Sequence, residues 1–146
     1  MEEFLNLLKS GHVLFLLSFS IFIGLFSPAV FYKKKIQENI KSKKLKYPDT
    51  SEIYSILGKK IFFLIFLLES TATFFLVFVA IFFLNSILLS GLVAILIMGS
   101  HSFSILHPLR GGSGTAPIAG ILLASSPWTL IICITLFFLI YIFTKK

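Results

Sequence analysis

Charged residues, and acidic ones in particular, are scarce in this sequence. Of the 146 residues, 13% are charged and only 6 are acidic, whereas about a quarter of a typical soluble domain is charged. This scarcity excludes an ordinary soluble protein and a disordered one, because both need much more polar surface. The length leaves room for one compact unit and so excludes a two-domain enzyme.

Cysteine and histidine are also rare. The single Cys133 lies in an apolar run, which excludes a disulfide framework and a cysteine metal site. His101 and His107 bring no further metal ligands with them, so we expect neither a metal nor another cofactor. A basic start is missing as well, since Met1-Glu2-Glu3 is acidic. We therefore expect no cleaved signal peptide and a first hydrophobic segment that is retained.

Apolar residues, by contrast, are abundant. They make up 57% of the chain, which includes 18 Phe, and the mean hydropathy is +0.99. A bilayer core accepts about 20 helical residues, and runs of this length predict membrane spans over 11–32, 61–84 and 87–106. Helical geometry is disfavoured before Pro108, which predicts the end of the third span. The sequence thus predicts an all-α fold, a polytopic membrane helix bundle forming a single domain over 1–146.

The last hydrophobic stretch allows two interpretations. Residues 118–143 are long enough for one tilted span, yet Ser125-Ser126-Pro127 interrupts them. The alternative is a half-helix over 115–126, after a glycine-rich loop, and a return helix over 128–143. The hairpin would bring Lys145-Lys146 to the same side as most other basic residues. We favour the hairpin, and we expect four or five membrane segments in all.

Basic residues are concentrated in one stretch. The net charge is +7, and nine of the 13 basic residues lie between Lys33 and Lys60. The positive-inside rule makes 33–60 a basic cytoplasmic loop and puts the glycine loop, 107–117, on the same side. We therefore expect a multi-pass protein of the inner (plasma) membrane with an external N terminus. Charge concentrated in one loop indicates a solvated loop that sets the topology rather than a nucleic-acid site. Contact with anionic lipid heads or acidic protein partners is a less favoured addition.

Two polar residues inside the hydrophobic segments are candidate catalytic residues. Glu69 is the only acidic residue within such a segment, and a buried acid usually faces the bundle interior with a partner. It lies about 13 Å from the cytoplasmic helix end, and His101 lies about 9 Å deep on the next helix. We predict a direct or water-mediated hydrogen bond between the two, with Ser100 or Thr73 as secondary partners. A packing role and a catalytic role both remain open.

The glycine-rich stretch is a candidate phosphate-binding site. Its members are Arg110, Gly111, Gly112, Ser113 and Gly114. A glycine-rich turn before a helix exposes backbone N–H groups, and a nearby cation assists them in holding phosphate. The G-x-x-x-x-G-K-[ST] spacing of a nucleotide P-loop is missing. A plain turn between membrane segments is the alternative interpretation.

Residues 101–117 resemble a motif of the bacterial acyl-phosphate-dependent glycerol-3-phosphate acyltransferases, the PlsY family. The family pattern is close to G-H-x-F-P-x-F-x-x-F-x-G-G-K-G-V-A-T, and the three loop glycines coincide without a gap after His101. Upstream, 57–60 reads L-G-K-K as in the family, and Leu67-Leu68-Glu69 falls where the family has the L-L-D of its D-x-x-K-G motif. The resemblance covers 51–143. It implies acyl transfer from acyl phosphate to glycerol 3-phosphate in phospholipid synthesis, with a cytoplasmic, phosphate-binding glycine loop.

Several motif residues of that family are replaced here. Ser113 stands at the position of the loop lysine and Ala72 at that of the D-x-x-K-G lysine, and the other replacements are Leu45, Glu52, Ser55 and Pro117. The family's C-terminal H-x-x-N-I-x-R-L motif has no counterpart before Lys146. An enzyme that handles two phosphate groups needs cations to offset their charge.

The sequence therefore favours a truncated and diverged, non-catalytic relative that serves as a membrane subunit or lipid-binding partner in a larger assembly. The alternative is a reduced but active acyltransferase that uses acyl phosphate and glycerol 3-phosphate. A small transporter or channel subunit is less favoured, because only Glu69 and His101 offer a polar path through the hydrophobic segments.

Overall fold

The computed structural model describes residues 10–32, 34, 36, 38, 50–102 and 114–144, and the regular structure in them is entirely helical. This confirms the predicted all-α fold. The helices are α1 (Gly11–Leu25), α2 (Thr50–Leu57), α3 (Lys59–Phe78), α4 (Ile87–Ser102), α5 (Thr115–Ser125) and α6 (Pro127–Thr144). A 3-10 helix, Pro28–Tyr32, follows α1, and a π-helical segment, Val79–Phe83, continues α3.

Two of these helical stretches are long and apolar enough to cross a membrane. They are Lys59–Phe83, with 25 residues, and Pro127–Thr144, with 18. The helices α1, α4 and α5 are shorter but also apolar. The apolar composition of the described helices is consistent with a membrane bundle, as the hydrophobic runs predict, and two of them reach the length of a span.

The predicted first span, 11–32, is divided in the structure. Helix α1 ends at Leu25, and Phe26 adopts an extended backbone with φ −94° and ψ 120°. The chain then re-enters a helical conformation at Pro28. A residue that precedes proline is driven away from helical geometry, which is why Ser27 lies in the break rather than inside a continuous helix.

Small residues let the helices approach closely. Helix α1 packs mainly on α4, and α3 packs mainly on α5. A Cβ atom on Gly24 of α1 would lie 2.6 Å from the Ile97 carbonyl oxygen, and one on Gly120 of α5 would lie 2.2 Å from the Ser70 carbonyl oxygen. Glycine is therefore required at both crossings, because any side chain would force the backbones apart.

The main apolar core lies between these helices, at their centre. Its buried members are Val13, Leu16, Leu76, Val77, Ala80, Leu89, Val93, Ile97 and Ala124. A second, smaller cluster joins Ile36 to Ile56, Leu57 and Ile65. The predicted basic loop, 33–60, thus contains helix α2 and contributes buried side chains that dock on α3.

The last hydrophobic stretch is divided at Ser126. The Ser126 N–H donates to the Leu122 carbonyl at the end of α5, and its carbonyl accepts from the Leu130 N–H at the start of α6. Pro127 is suited to the first position of a helix, because the N–H that it lacks is not needed there. Helix α5 buries four residues, whereas α6 buries none. The hairpin arrangement of the two helices stays a prediction.

Candidate functional site

A cavity of about 280 Å³ lies where α1, the 3-10 helix, α3, α4 and the start of α5 meet. Most of its lining is apolar. Among the described lining residues, only Glu69, Thr73 and His101 carry polar side chains. Both candidate catalytic residues thus line one cavity, although they come from different helices. A mostly apolar cavity with a few polar groups is typical of a small-molecule or lipid site.

Glu69 is hydrogen-bonded to the segment that follows the first helix. The Ser27 hydroxyl donates a hydrogen bond to Glu69 Oε1, and Ser27 is 1% exposed. The break in the helix before Pro28 puts this hydroxyl opposite the middle of α3. A carboxyl in an apolar environment requires such a donor, because an unsatisfied polar group there costs several kcal/mol.

Ser27 is not among the site residues predicted from the sequence, although a pattern of small residues is present. Ser20, Gly24 and Ser27 recur at helical spacing in the first hydrophobic segment, and all three are buried. Small residues at such spacing indicate the side of a membrane helix that packs on a neighbour. The pattern identifies the contact face of α1, but it does not say which helix is the neighbour.

His101 is hydrogen-bonded to the first helix, α1. It lies in the last turn of α4, is 3% exposed, and its ring is hydrogen-bonded to the backbone of Gly24. The contact depends on the close approach of α1 and α4 at Gly24. Glu69 and His101 are therefore both positioned by residues of the same short stretch, Gly24 to Ser27.

The predicted secondary partners bond to helix carbonyls. The Thr73 hydroxyl donates to the Glu69 main-chain oxygen at 2.9 Å. The Ser100 hydroxyl lies 2.6 Å from the Leu96 carbonyl oxygen and 3.1 Å from that of Ile97. The predicted hydrogen bond between Glu69 and His101 stays a prediction, with both residues on the same cavity.

Most of the predicted phosphate-binding stretch lies outside the described residues: Arg110, Gly111, Gly112 and Ser113. Gly114 precedes α5 with φ 69° and ψ 2°, a left-handed conformation that favours glycine. A Cβ atom there would also lie 2.9 Å from the Met98 Cε atom of α4. Gly114 thus has a clear role in the turn, and phosphate binding stays a prediction.

Within residues 10–32, 50–102 and 114–144, no three His, Cys, Asp or Glu side chains are grouped to hold a metal ion. Cys133 is exposed on α6.

One comparison with known proteins gives a match. A family model described as glycerol-3-phosphate acyltransferase matches residues 14–146. Neither the curated proteins nor the solved structures give a match. The match extends from the start of α1 through the cavity residues to α6.

Proposed function

Because the chain belongs to the glycerol-3-phosphate acyltransferase family, as its motifs predicted, we propose that it is a diverged, non-catalytic member of that family. In this proposal it binds lipid and serves as a membrane subunit of a larger assembly. One observation carries the proposal: the described lining of the cavity contains the carboxyl of Glu69 and no Lys or Arg side chain.

The missing cation bears directly on catalysis. By resemblance to the family's D-x-x-K-G motif, Ala72 stands where the family has lysine, and Ala72 lines the cavity beside Glu69. The family's substrates, acyl phosphate and glycerol 3-phosphate, both carry negative phosphate. Like charges repel strongly in a medium of low dielectric constant, so Glu69 without a cation opposes phosphate binding.

The cavity suits an apolar chain. Nine of its twelve described lining residues are apolar side chains or glycine, and they belong to helices of a membrane bundle. An inner-membrane location follows from the family and the apolar helices. We further propose that the basic segment, 33–60, and the glycine loop face the cytoplasm, on the charge asymmetry of the sequence.

A reduced but active acyltransferase is the second candidate. It is favoured by one observation, that Glu69 and His101 share the cavity with Pro117, close to the start of α5 and hence to the glycine loop. In that case His101 would act as a general base on the acceptor hydroxyl, a usual role of histidine in acyl transfer.

An activity assay on the purified chain tests the proposal. The protein is reconstituted in lipid nanodiscs and supplied with acyl phosphate and glycerol 3-phosphate, and lysophosphatidic acid is measured. We expect no product above that of empty nanodiscs, while an active bacterial family member, assayed in parallel, gives product. Turnover by this chain that is lost in His101→Ala would overturn the proposal in favour of the active enzyme.

Gentle purification tests the rest of the proposal. We expect a protein partner in fixed stoichiometry, or lipid retained by the wild-type chain. As a matched comparison, Ala72→Trp should fill part of the cavity and reduce the retained lipid, while Ile95→Trp, on the exposed side of α4, should not. Recovery of the chain with neither protein nor lipid would count against both roles.

A further inference from the structure

The cavity combines a carboxyl group with a mostly apolar lining. We propose that it binds the ammonium head of a single-chain amphiphile, that is, an alkylamine or a lipid-like amine. This inference rests on the proposed lipid-binding function and names the chemistry of its ligand. It follows from the hydrogen-bonding capacity, the charge and the aromatic residues of the cavity, which are considered in turn.

The hydrogen bonding of Glu69 limits which ligands the cavity can accept. An ionised carboxylate only accepts hydrogen bonds, and its two oxygens offer about four lone-pair sites. Ser27 donates to Glu69 Oε1, which leaves further accepting capacity on the carboxylate. Thr73 directs its hydroxyl hydrogen to the Glu69 main-chain oxygen, away from the carboxylate. A ligand that meets Glu69 must therefore be a hydrogen-bond donor.

Charge distinguishes between donors. A carboxylate within a membrane helix is stabilised by an opposite charge. Lys and Arg do not occur among the described lining residues, and Lys60 lies nine residues before Glu69, about 13 Å along the helix. His101, the other titratable residue on the cavity, is hydrogen-bonded to the backbone of Gly24. A primary ammonium provides both the donor and the missing cation, whereas a hydroxyl provides only the donor.

Aromatic rings complete the site. Phe26 and Phe31 both line the cavity, with ring centroids 6.0 Å apart and planes at 74°. Aromatic faces attract cations, and more strongly where water is excluded. Two rings on the same cavity as a carboxylate thus favour an ammonium over a neutral or an anionic head.

The same rings lead out of the cavity along α1. Phe26 stacks on Phe22, Phe22 on Phe19, and Phe19 on Phe15, with centroids 6.2, 6.1 and 5.8 Å apart. This aromatic ladder is largely exposed outside the bundle, since Phe22 is 56% and Phe15 70% exposed. It forms a continuous apolar surface from the cavity toward lipid, which suits the tail of a single-chain amphiphile.

Binding of three matched probes tests the inference without any mutation. Hexylammonium, hexanol and hexyl phosphate share one tail and differ in head charge. Each is titrated calorimetrically into the full chain in dodecyl maltoside micelles, which carry no charge and no ammonium. We expect saturable binding of hexylammonium, stronger than that of the other two by roughly tenfold or more. Equal binding of hexanol, or preferred binding of hexyl phosphate, would overturn the proposal.

Three variants assign the effect to Glu69. Glu69→Gln should weaken hexylammonium binding by roughly tenfold or more, because the amide carries no charge. Ala72→Lys should weaken it as much and strengthen hexyl phosphate binding, since a tethered cation then occupies the cavity. Glu38→Gln changes an exposed carboxylate outside the cavity and should leave all three affinities unchanged. Unaltered hexylammonium binding in folded Glu69→Gln would contradict the inference.

These outcomes are distinguishable from those of the activity assay. A chain that makes lysophosphatidic acid and also prefers hexylammonium overturns the non-catalytic function and leaves the ammonium site standing. A chain that makes no product and shows no preference for hexylammonium overturns the ammonium site alone.

Discussion

Ser27 and Glu69 are 42 residues apart in the chain, and their hydrogen bond joins the segment after α1 to α3. Interhelical hydrogen bonds in membranes contribute about 0.6 kcal/mol on average and up to about 1.7 kcal/mol. The bond between Ser27 and Glu69 belongs at the upper end, because Ser27 is almost fully buried and the acceptor is a carboxyl group. It also orients the carboxyl of the cavity.

Removal of this hydroxyl gives the first prediction. Ser27→Ala should lower the free energy of unfolding by roughly 1–2 kcal/mol, because the Glu69 carboxyl loses its buried donor. The measurement is reversible unfolding in mixed micelles. Ser102→Ala is the matched control, since its exposed hydroxyl donates to the Met98 carbonyl of its own helix at 2.8 Å, and it should change stability little. Equal effects of the two substitutions would contradict the prediction.

The predicted contact between Glu69 and His101 can be tested by its coupling energy. A double-mutant cycle with Glu69→Gln and His101→Ala should give a coupling energy of about 0.5 kcal/mol or more, because residues that share a hydrogen bond do not contribute additively. Unfolding of the single and double variants in the same micelles provides the four values. Additive effects would show that the two side chains share the cavity without interacting.

Glycine positions determine how the helices cross. Gly24 and Gly120 lie at the two close crossings, where a Cβ atom would meet backbone oxygens. Backbone atoms cannot turn aside as a flexible side chain does, so a larger residue at either position separates the helices. The crossing at Gly24 also sets the distance between His101 and the first helix.

The two close helix crossings give a prediction about stability. Gly24→Ala and Gly120→Ala should each destabilise the protein by roughly 1–3 kcal/mol, because overpacking forces the helices apart. Gly91→Ala should be neutral or stabilising, since a Cβ there meets nothing within 4 Å and alanine is the better helix former. Thermal unfolding of the three variants makes the comparison. Stability unchanged by Gly120→Ala would contradict the close approach of α3 and α5.

Gly24→Ala has a further expected effect on the site. Separation of α1 from α4 weakens the hydrogen bond between His101 and the Gly24 backbone, and it moves Ser27 relative to Glu69. We therefore expect Gly24→Ala to reduce hexylammonium affinity more than Gly120→Ala does. The same calorimetric titration decides between a specific and a general effect.

The whole molecule has an asymmetric charge distribution and an exposed last helix. Nine basic residues lie between Lys33 and Lys60, whereas α6 is apolar and buries none of its residues. Within a bilayer, α6 therefore offers its surface to lipid or to other membrane helices. The cytoplasmic position of the basic segment stays a prediction.

The charge distribution predicts which side of the membrane the basic segment and the glycine loop face. Cysteines introduced at Gln37 and at Ser113, in a Cys133→Ala background, should react with an impermeant maleimide only when the cytoplasmic side is accessible. Removal of Cys133 comes first, because it is exposed and would react itself. Labelling of both introduced cysteines from the external side of intact cells would overturn the orientation.

The helical class and the family could both be predicted from the sequence alone. Long apolar runs require the backbone to satisfy its hydrogen bonds internally, which only helices do in such segments. The family followed from the spacing of glycines, His101 and the L-G-K-K stretch, and the match over 14–146 confirms it. Glu69 and His101 could be singled out as candidates because polar residues are rare and costly in hydrocarbon.

The residues that surround Glu69 and His101 could be identified only from the tertiary structure. Ser27 bonds to Glu69, Gly24 bonds to His101, and Phe26 and Phe31 line the same cavity. These contacts form because α1 packs on α4 and the segment after α1 bonds to α3. Hydrophobic periodicity is weak evidence for such pairings, since a helix that is apolar all round gives no preferred side to its neighbours. The contacts follow from where small residues allow close approach, and that depends on two helices at once.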